Sequence, residues 1–218
     1  VIIQIVAGGP KENIPDLMSF HGEDVLWIGV DCGVSYLLET GITPKKIYGD
    51  FDSVSNEQKE TILQRFSDAE IFPSEKNETD TEIAINWALK QKPSLIRIFG
   101  GTGGRLDHFL ANIQLLLKGL EHGSRIEILD IQNRMHVVKE GTYSLCKDSS
   151  FPYTSFLPVS RFVLGITLTG FKYPLTNRNI KWGDTLCISN EMVCENGTFS
   201  FHEGILMVIR SRDYHSSF

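Results

Sequence analysis

With 218 residues, 41% hydrophobic and 22% charged, the chain has ordinary globular composition and enough length for one large core or two modest ones. A formal net charge of -6 argues against general binding along a nucleic-acid backbone, where clustered Lys and Arg must displace condensed counterions. No apolar run approaches the ~20 residues that span a bilayer, and the opening Val1-Ile2-Ile3-Gln4-Ile5-Val6 lacks the basic region and long apolar stretch of a signal peptide, so a cytoplasmic protein with no membrane attachment is expected.

From the start to about residue 131, short apolar runs alternate with helical patterns, which predicts an α/β fold built on a Rossmann-like parallel sheet. Strands are expected at Ile2 to Ala7, Val25 to Val30, Lys46 to Tyr48, Ala69 to Phe72, Leu95 to Phe99 and Arg125 to Leu129. Ser55-Asn56-Glu57-Gln58 and Thr79-Asp80-Thr81-Glu82 fit the capping box, so a helix should begin at each. Between Arg105 and Leu120, Leu106, Phe109, Leu110, Ile113, Leu117 and Leu120 recur at helical spacing and predict the face that packs on the sheet. Arg105, His108 and Asn112 lie off that face. Residues 132–218 lack amphipathic helices and read as an all-β domain, a sandwich or barrel. Its expected strands include Met135 to Lys139, Phe162 to Thr169, Thr185 to Ser189, Thr198 to His202 and Ile205 to Arg210. Cys32, Cys146, Cys187 and Cys194 are too scattered for a zinc site or a disulfide framework and read as buried free thiols.

Acidic residues recur just after the predicted strands of the first half, at the edge where an open α/β sheet forms its ligand crevice. Asp31 follows Trp27-Ile28-Gly29-Val30, and Asp50 and Asp52 follow Lys46-Ile47-Tyr48-Gly49. Asp80 opens a capped helix, and Asp107 sits in the first turn of another. Any one of these carboxylates can be a surface residue matched to a helix dipole. Crowded together they repel unless a cation neutralises them, and Mg²⁺ is the usual partner where phosphates supply further oxygen ligands. In Gly49-Asp50-Phe51-Asp52-Ser53, residues two apart point to the same side of an extended chain, so Asp50 and Asp52 can face the same ion.

Gly100-Gly101-Thr102-Gly103-Gly104-Arg105-Leu106-Asp107-His108 is a glycine-rich turn running straight into a helix. Such a turn brings backbone amides close to phosphate oxygens, and the helix N-terminus favours their charge. It has no G-K-[ST] and departs from G-x-G-x-x-G at Leu106; a tight connection is the alternative. Arg105 can clamp a phosphate bidentately and a protonated His108 can donate to it. Lys76 offers a further phosphate contact or a solvated loop charge, and Gly8-Gly9-Pro10 after the first strand is open in the same way.

In order along the chain, Asp31-x-Gly33, Gly49-Asp50-Phe51-Asp52-Ser53, Lys76 with Thr79-Asp80-Thr81, Gly103-Gly104-Arg105-Leu106-Asp107-His108 with Asn112, and Ser189-Asn190 resemble the thiamine pyrophosphokinase family. The resemblance implies an α/β domain, residues 1–131, that binds ATP, and a β-sandwich domain, residues 132–218, that contributes thiamine contacts. It implies transfer of pyrophosphate from ATP to the thiamine hydroxyl in a homodimer with active sites at the subunit interface. Carried over by position, Asp50, Asp52 and Asp80 would hold Mg²⁺, and Asp107 would complete the metal cluster or accept the hydroxyl proton. Gly8, Gly9, Asp31, Gly33, Ser53, Lys76, Thr79, Thr81, Gly103, Arg105, His108 and Asn112 would line the ATP site. Ser189 and Asn190 would meet thiamine, whose thiazolium cation Trp182 could stack against unless that ring is core. Departures occur at Cys32-Gly33-Val34, where a second Gly is expected, and at Asn77, where Asp is more usual. Two other functions fit the residues: a haloacid dehalogenase-type phosphatase using Asp50-x-Asp52, and a nucleotide sensor without turnover.

Overall fold

β-Branched runs bounded by turn residues form strands largely where their spacing predicts. In a computed structural model that describes residues 1–49, the backbone of 70–71, and 77–214, β1 spans Ile2–Val6, β2 Val25–Val30, β3 Lys46–Gly49, β4 Glu70–Ile71, β5 Leu95–Phe99 and β6 Arg125–Leu129. They pair in parallel in the order β6-β5-β1-β2-β3-β4. On central β1, the fully buried Ile3 and Ile5 meet Leu26 and Ile28 on one side and Ile96 and Ile98 on the other. Burying each such side chain contributes about 1.5–3 kcal/mol. Strand order reverses at β1, with β2 to β4 growing from one edge and β5 and β6 from the other. Such a reversal, here between β1 and β5, is where an open α/β sheet forms its crevice at the strands' carboxyl ends.

Among the described residues, three α-helices belong to this unit: α1, Gly33–Glu39; α2, Asp80–Lys90; and α3, Leu106–His122. The capping box at α2 forms as expected, with Thr79 Oγ1 accepting from Glu82 N–H at 3.2 Å. The other predicted helix start, at Ser55, lies outside the described residues. Helix α3 corrects the predicted packing face. Its buried positions are Asn112, Leu115, Leu116 and Gly119, whereas Leu106 is 75% and Leu110 56% exposed. Gly119 explains the choice: a Cβ there would lie 2.4 Å from the Ser124 carbonyl oxygen, so only a bare backbone lets the helix lie this close to the chain entering β6. No helix among the described residues is long and apolar enough to cross a membrane.

The chain divides into two compact units, Val1–Ile131 and Gln132–Phe218. In the second, β7 (Asn133–Cys146), β8 (Tyr153–Pro158), β9 (Phe162–Thr169), β10 (Leu175–Lys181), β11 (Asn190–Glu191) and β12 (Asn196–Ser211) pair antiparallel. The two strands expected at Thr198 to His202 and Ile205 to Arg210 are one strand, β12, whose register shifts between Phe201 and Ile205. Phe156, Val163, Ile166, Leu168, Phe199, Leu206 and Val208 fill the core of this unit. Thr185 to Ser189 is a turn rather than the expected strand: Cys187 alone enters the core, its carbonyl accepts from Phe156 N–H at 2.9 Å, and Ser189 has φ 55°. The thiols also differ from expectation. Cys187 is buried, but Cys146 and Cys194 are exposed and Cys32 is half-buried.

Candidate active site

At the crevice between β1 and β5 lies a cavity of about 370 Å³. Gly8 and Gly9 reach it from β1, Asp31 and Cys32 from β2, and Gly100, Gly101, Thr102 and Gly104 from β5. Thr81 from the first turn of α2, and Arg105, His108, Phe109 and Asn112 from the start of α3, complete the wall. The floor is bare backbone in close approach. Gly9 N–H donates to the Gly100 carbonyl at 3.0 Å, and a Cβ on Gly9 would stand 2.4 Å from that oxygen. Two buried side-chain bonds hold the β5 loop from below: Asn112 Nδ2 donates to Gly101 O at 3.0 Å, and Thr102 Oγ1 donates to Asp130 Oδ2 at 2.7 Å.

Charge of both signs meets this cavity. Asp31 stands at the end of β2 with φ 51°, a left-handed conformation that Asp tolerates better than most residues. Its backbone N–H donates to Tyr48 O at 3.0 Å, and a Cβ on Gly49 would lie 2.3 Å from its Oδ1. The end of β3, one residue before Asp50, thus lies against the Asp31 carboxylate. At the rim, Arg105 grips Asp107 through Nε–Oδ1 at 3.1 Å and Nη2–Oδ2 at 2.5 Å, and His108 N–H donates to Asp107 Oδ1 at 2.9 Å. Bonding to Arg105 lowers the Asp107 carboxyl to about 2, and the same pairing raises Arg105. The N-cap residue of α3, Arg105, makes no side-chain bond to the helix amides, and Asp107 takes the amide of His108.

Of the residues expected at the site, Gly8, Gly9, Asp31, Thr81, Arg105, His108 and Asn112 line this one cavity. Gly33 lies beneath the wall, where a Cβ would come 1.9 Å from Val6 O. Thr79 and Asp80 open α2, and Gly103 and Asp107 flank Arg105, without lining the cavity. Asp50, Asp52, Ser53 and Lys76 lie outside the described residues. In the second unit, Asn190 is 2% exposed and its amide is occupied within the fold, with Oδ1 accepting from Tyr173 N–H at 3.0 Å and Nδ2 donating to Tyr173 O at 2.9 Å. Ser189 N–H donates to Ser155 Oγ at 2.9 Å. Trp182 is 69% exposed and therefore not core.

Thr102 and Asp130 are absent from the expected set. Asp130 directly follows β6, so the rule that picked out Asp31, a carboxylate just past a strand, would have found it. Among the described residues no three His, Cys, Asp or Glu side chains are grouped to hold a metal ion. Asp31, the carboxylate that lines the cavity, is a hard oxygen donor of the kind a divalent cation with phosphate ligands takes.

Comparison with known proteins gives a consistent result. The family pattern described as thiamin pyrophosphokinase, catalytic domain, matches residues 18–128, and that described as thiamin pyrophosphokinase, vitamin B1 binding domain, matches residues 138–206. A thiamine pyrophosphokinase of Bacillus subtilis (strain 168) is 49% identical over 211 residues, 97% of this chain and 99% of that protein. The crystal structure of thiamine pyrophosphokinase from Bacillus subtilis superposes with a TM-score of 0.94 at 48% identity, covering 98% of this chain and 100% of that one. That of thiamin pyrophosphokinase from Geobacillus thermodenitrificans gives 0.91 at 52% identity, covering 98% of each.

Proposed function

We infer the activity of this chain from its family: it belongs to the thiamin pyrophosphokinases, and it transfers a pyrophosphoryl group from ATP to the hydroxyl of thiamine, giving thiamine diphosphate and AMP. The observation that carries this is the cavity at the strand reversal, where bare glycine backbone forms the floor and Arg105 and His108 stand at the start of α3. Backbone amides and cations so arranged suit a polyphosphate. Neither phosphatase nor silent sensor is favoured for a chain similar to thiamine pyrophosphokinases over nearly its whole length.

The parallel order of the first unit supports a Rossmann-like ATP-binding domain over residues 1–131, and the antiparallel pairing of the second supports a β-sandwich thiamine domain over 132–218. Gly8, Gly9, Gly103 and Thr81 approach the nucleotide phosphates with Arg105, His108 and Lys76, while Asp31, Gly33, Ser53, Thr79 and Asn112 shape the rest of the ATP site. Asp50, Asp52 and Asp80 hold Mg²⁺, which when bound neutralises phosphate charge and orients the chain of phosphates for in-line attack. The protein's own task is to align the thiamine hydroxyl with the β-phosphorus and to stabilise developing charge. Asp107, kept ionised by Arg105, aims the Arg105 guanidinium, and it would complete the metal cluster or accept the hydroxyl proton once Arg105 turns to phosphate. Ser189, which is exposed, and Asn190 beside it bound the thiamine side. Trp182 presents an open ring for the thiazolium cation. The working form is a cytoplasmic homodimer with active sites at the subunit interface, consistent with the exposed Leu106 and Leu110 on α3.

The decisive experiment incubates purified protein with ATP, Mg²⁺ and thiamine and assays thiamine diphosphate and AMP. AMP release that depends on thiamine is expected, and Asp50→Asn and Asp52→Asn should each lower kcat by at least about 100-fold. Phosphate release from assorted monoesters in place of transfer would overturn the assignment.

A further inference from the structure

We propose that Asp130 is a positioning residue that acts through Thr102, the two forming a tether that fixes the glycine-rich loop for pyrophosphoryl transfer. It rests on the activity inferred above and adds two residues to the machinery.

The segment Gly100–Gly104 reads Gly-Gly-Thr-Gly-Gly, so Thr102 carries its only side chain. Glycine loses more conformational freedom on ordering than any other residue, and a loop of this composition does not hold one shape by local preference. Yet Gly100, Gly101, Thr102 and Gly104 all line the cavity and must hold their positions if their amides are to meet phosphate oxygens. Gly9 N–H fixes the Gly100 carbonyl and Asn112 the Gly101 carbonyl, each at 3.0 Å. Both bonds lie before Thr102. The stretch from Thr102 into α3, which delivers Arg105 and His108, is held by the 2.7 Å bond from Thr102 Oγ1 to Asp130 Oδ2.

That bond is built to hold. Thr102 is 8% and Asp130 6% exposed, and a hydrogen bond to a buried carboxylate is shorter and stronger than one between neutral groups. Its anchor is the sheet itself: Asp130 follows the buried Ile128 and Leu129 of β6, and β6 pairs with β5, the strand from which the loop departs. The loop thus leaves one strand and is pinned at the end of its neighbour. Preorganised donors stabilise a transition state because they need no reorganisation, and misplacing them by about 1 Å can cost about 100-fold in rate.

The test uses the full chain with ATP, Mg²⁺ and thiamine. Thr102→Val keeps shape and removes the donor, Thr102→Ser restores the hydroxyl, and Asp130→Asn keeps an acceptor oxygen without the charge. Thr102→Val should lower kcat by about 10–100-fold while the KM for thiamine stays within about twofold, and Thr102→Ser should recover to within about threefold of the parent. Hydrogen exchange at amides 100–106 should quicken in Thr102→Val and Asp130→Asn and return to the parent rate in Thr102→Ser. A Thr102→Val protein with parental kcat and parental exchange, or a loss that Ser does not repair, overturns the tether. Should Thr102→Val fail to fold, Asp130→Asn alone decides: unchanged exchange and kcat reject the proposal. If the parent makes no thiamine diphosphate, the inferred activity fails, whereas the exchange arm still judges the tether separately.

Discussion

Asp107 and Arg105 are bound to each other on an exposed helix start, with side chains 62% and 74% accessible. Because the folded carboxyl titrates below its unfolded value, their attraction is present above about pH 4 and fades as pH falls toward 2. Solvent and salt screen it, so its effect on unfolding is small. Replacing Arg105 with Gln should lift the Asp107 midpoint from about 2 toward the ordinary carboxylate value of about 3.9, as followed by carboxyl NMR. A midpoint that stays low would assign the shift to the helix terminus instead. At this scale the sequence revealed much of the cavity wall, because glycines and carboxylates just past strands are conspicuous. Asp130 escaped although it obeys the same rule. The fate of Asn190 was invisible in principle, since a buried amide that braces Tyr173 and one that binds a ligand have the same spelling.

Helix α2 begins where its capping box predicts, and the Thr79 side chain satisfies one of the amides left open at the start. Thr79→Ala should therefore cost about 1 kcal/mol of stability in chemical denaturation. A loss confined to ATP affinity, with unfolding unchanged, would make Thr79 a ligand residue only. Helix α3 teaches a different lesson. Its sequence is so rich in Leu that two stripes at helical spacing compete, and the more continuous one is only partly buried, at Phe109, Ile113, Leu117 and Leu120. Asn112 and Gly119 hide the true stripe, one because its polar amide finds Gly101 O, the other because contact there needs the absence of a side chain. Strand β10, Leu175–Lys181, escaped for a related reason: most of it is exposed, so no apolar alternation marks it.

Over the whole molecule, the change from alternating strand and helix patterns to β runs alone was legible, because parallel strands need long crossovers and antiparallel ones do not. Association between copies leaves no such pattern. Light scattering at assay concentration should give the mass of two chains; a single-chain mass alongside full activity would remove the homodimer from the proposed function. One contact joins the ends of the neighbouring strands β2 and β3. Gly49 leaves the space that the Asp31 carboxylate fills, and any added carbon at Gly49 would collide with it. A larger residue at Gly49 would have to push the Asp31 side chain aside, so the reach of that carboxylate into the cavity is set from the neighbouring strand.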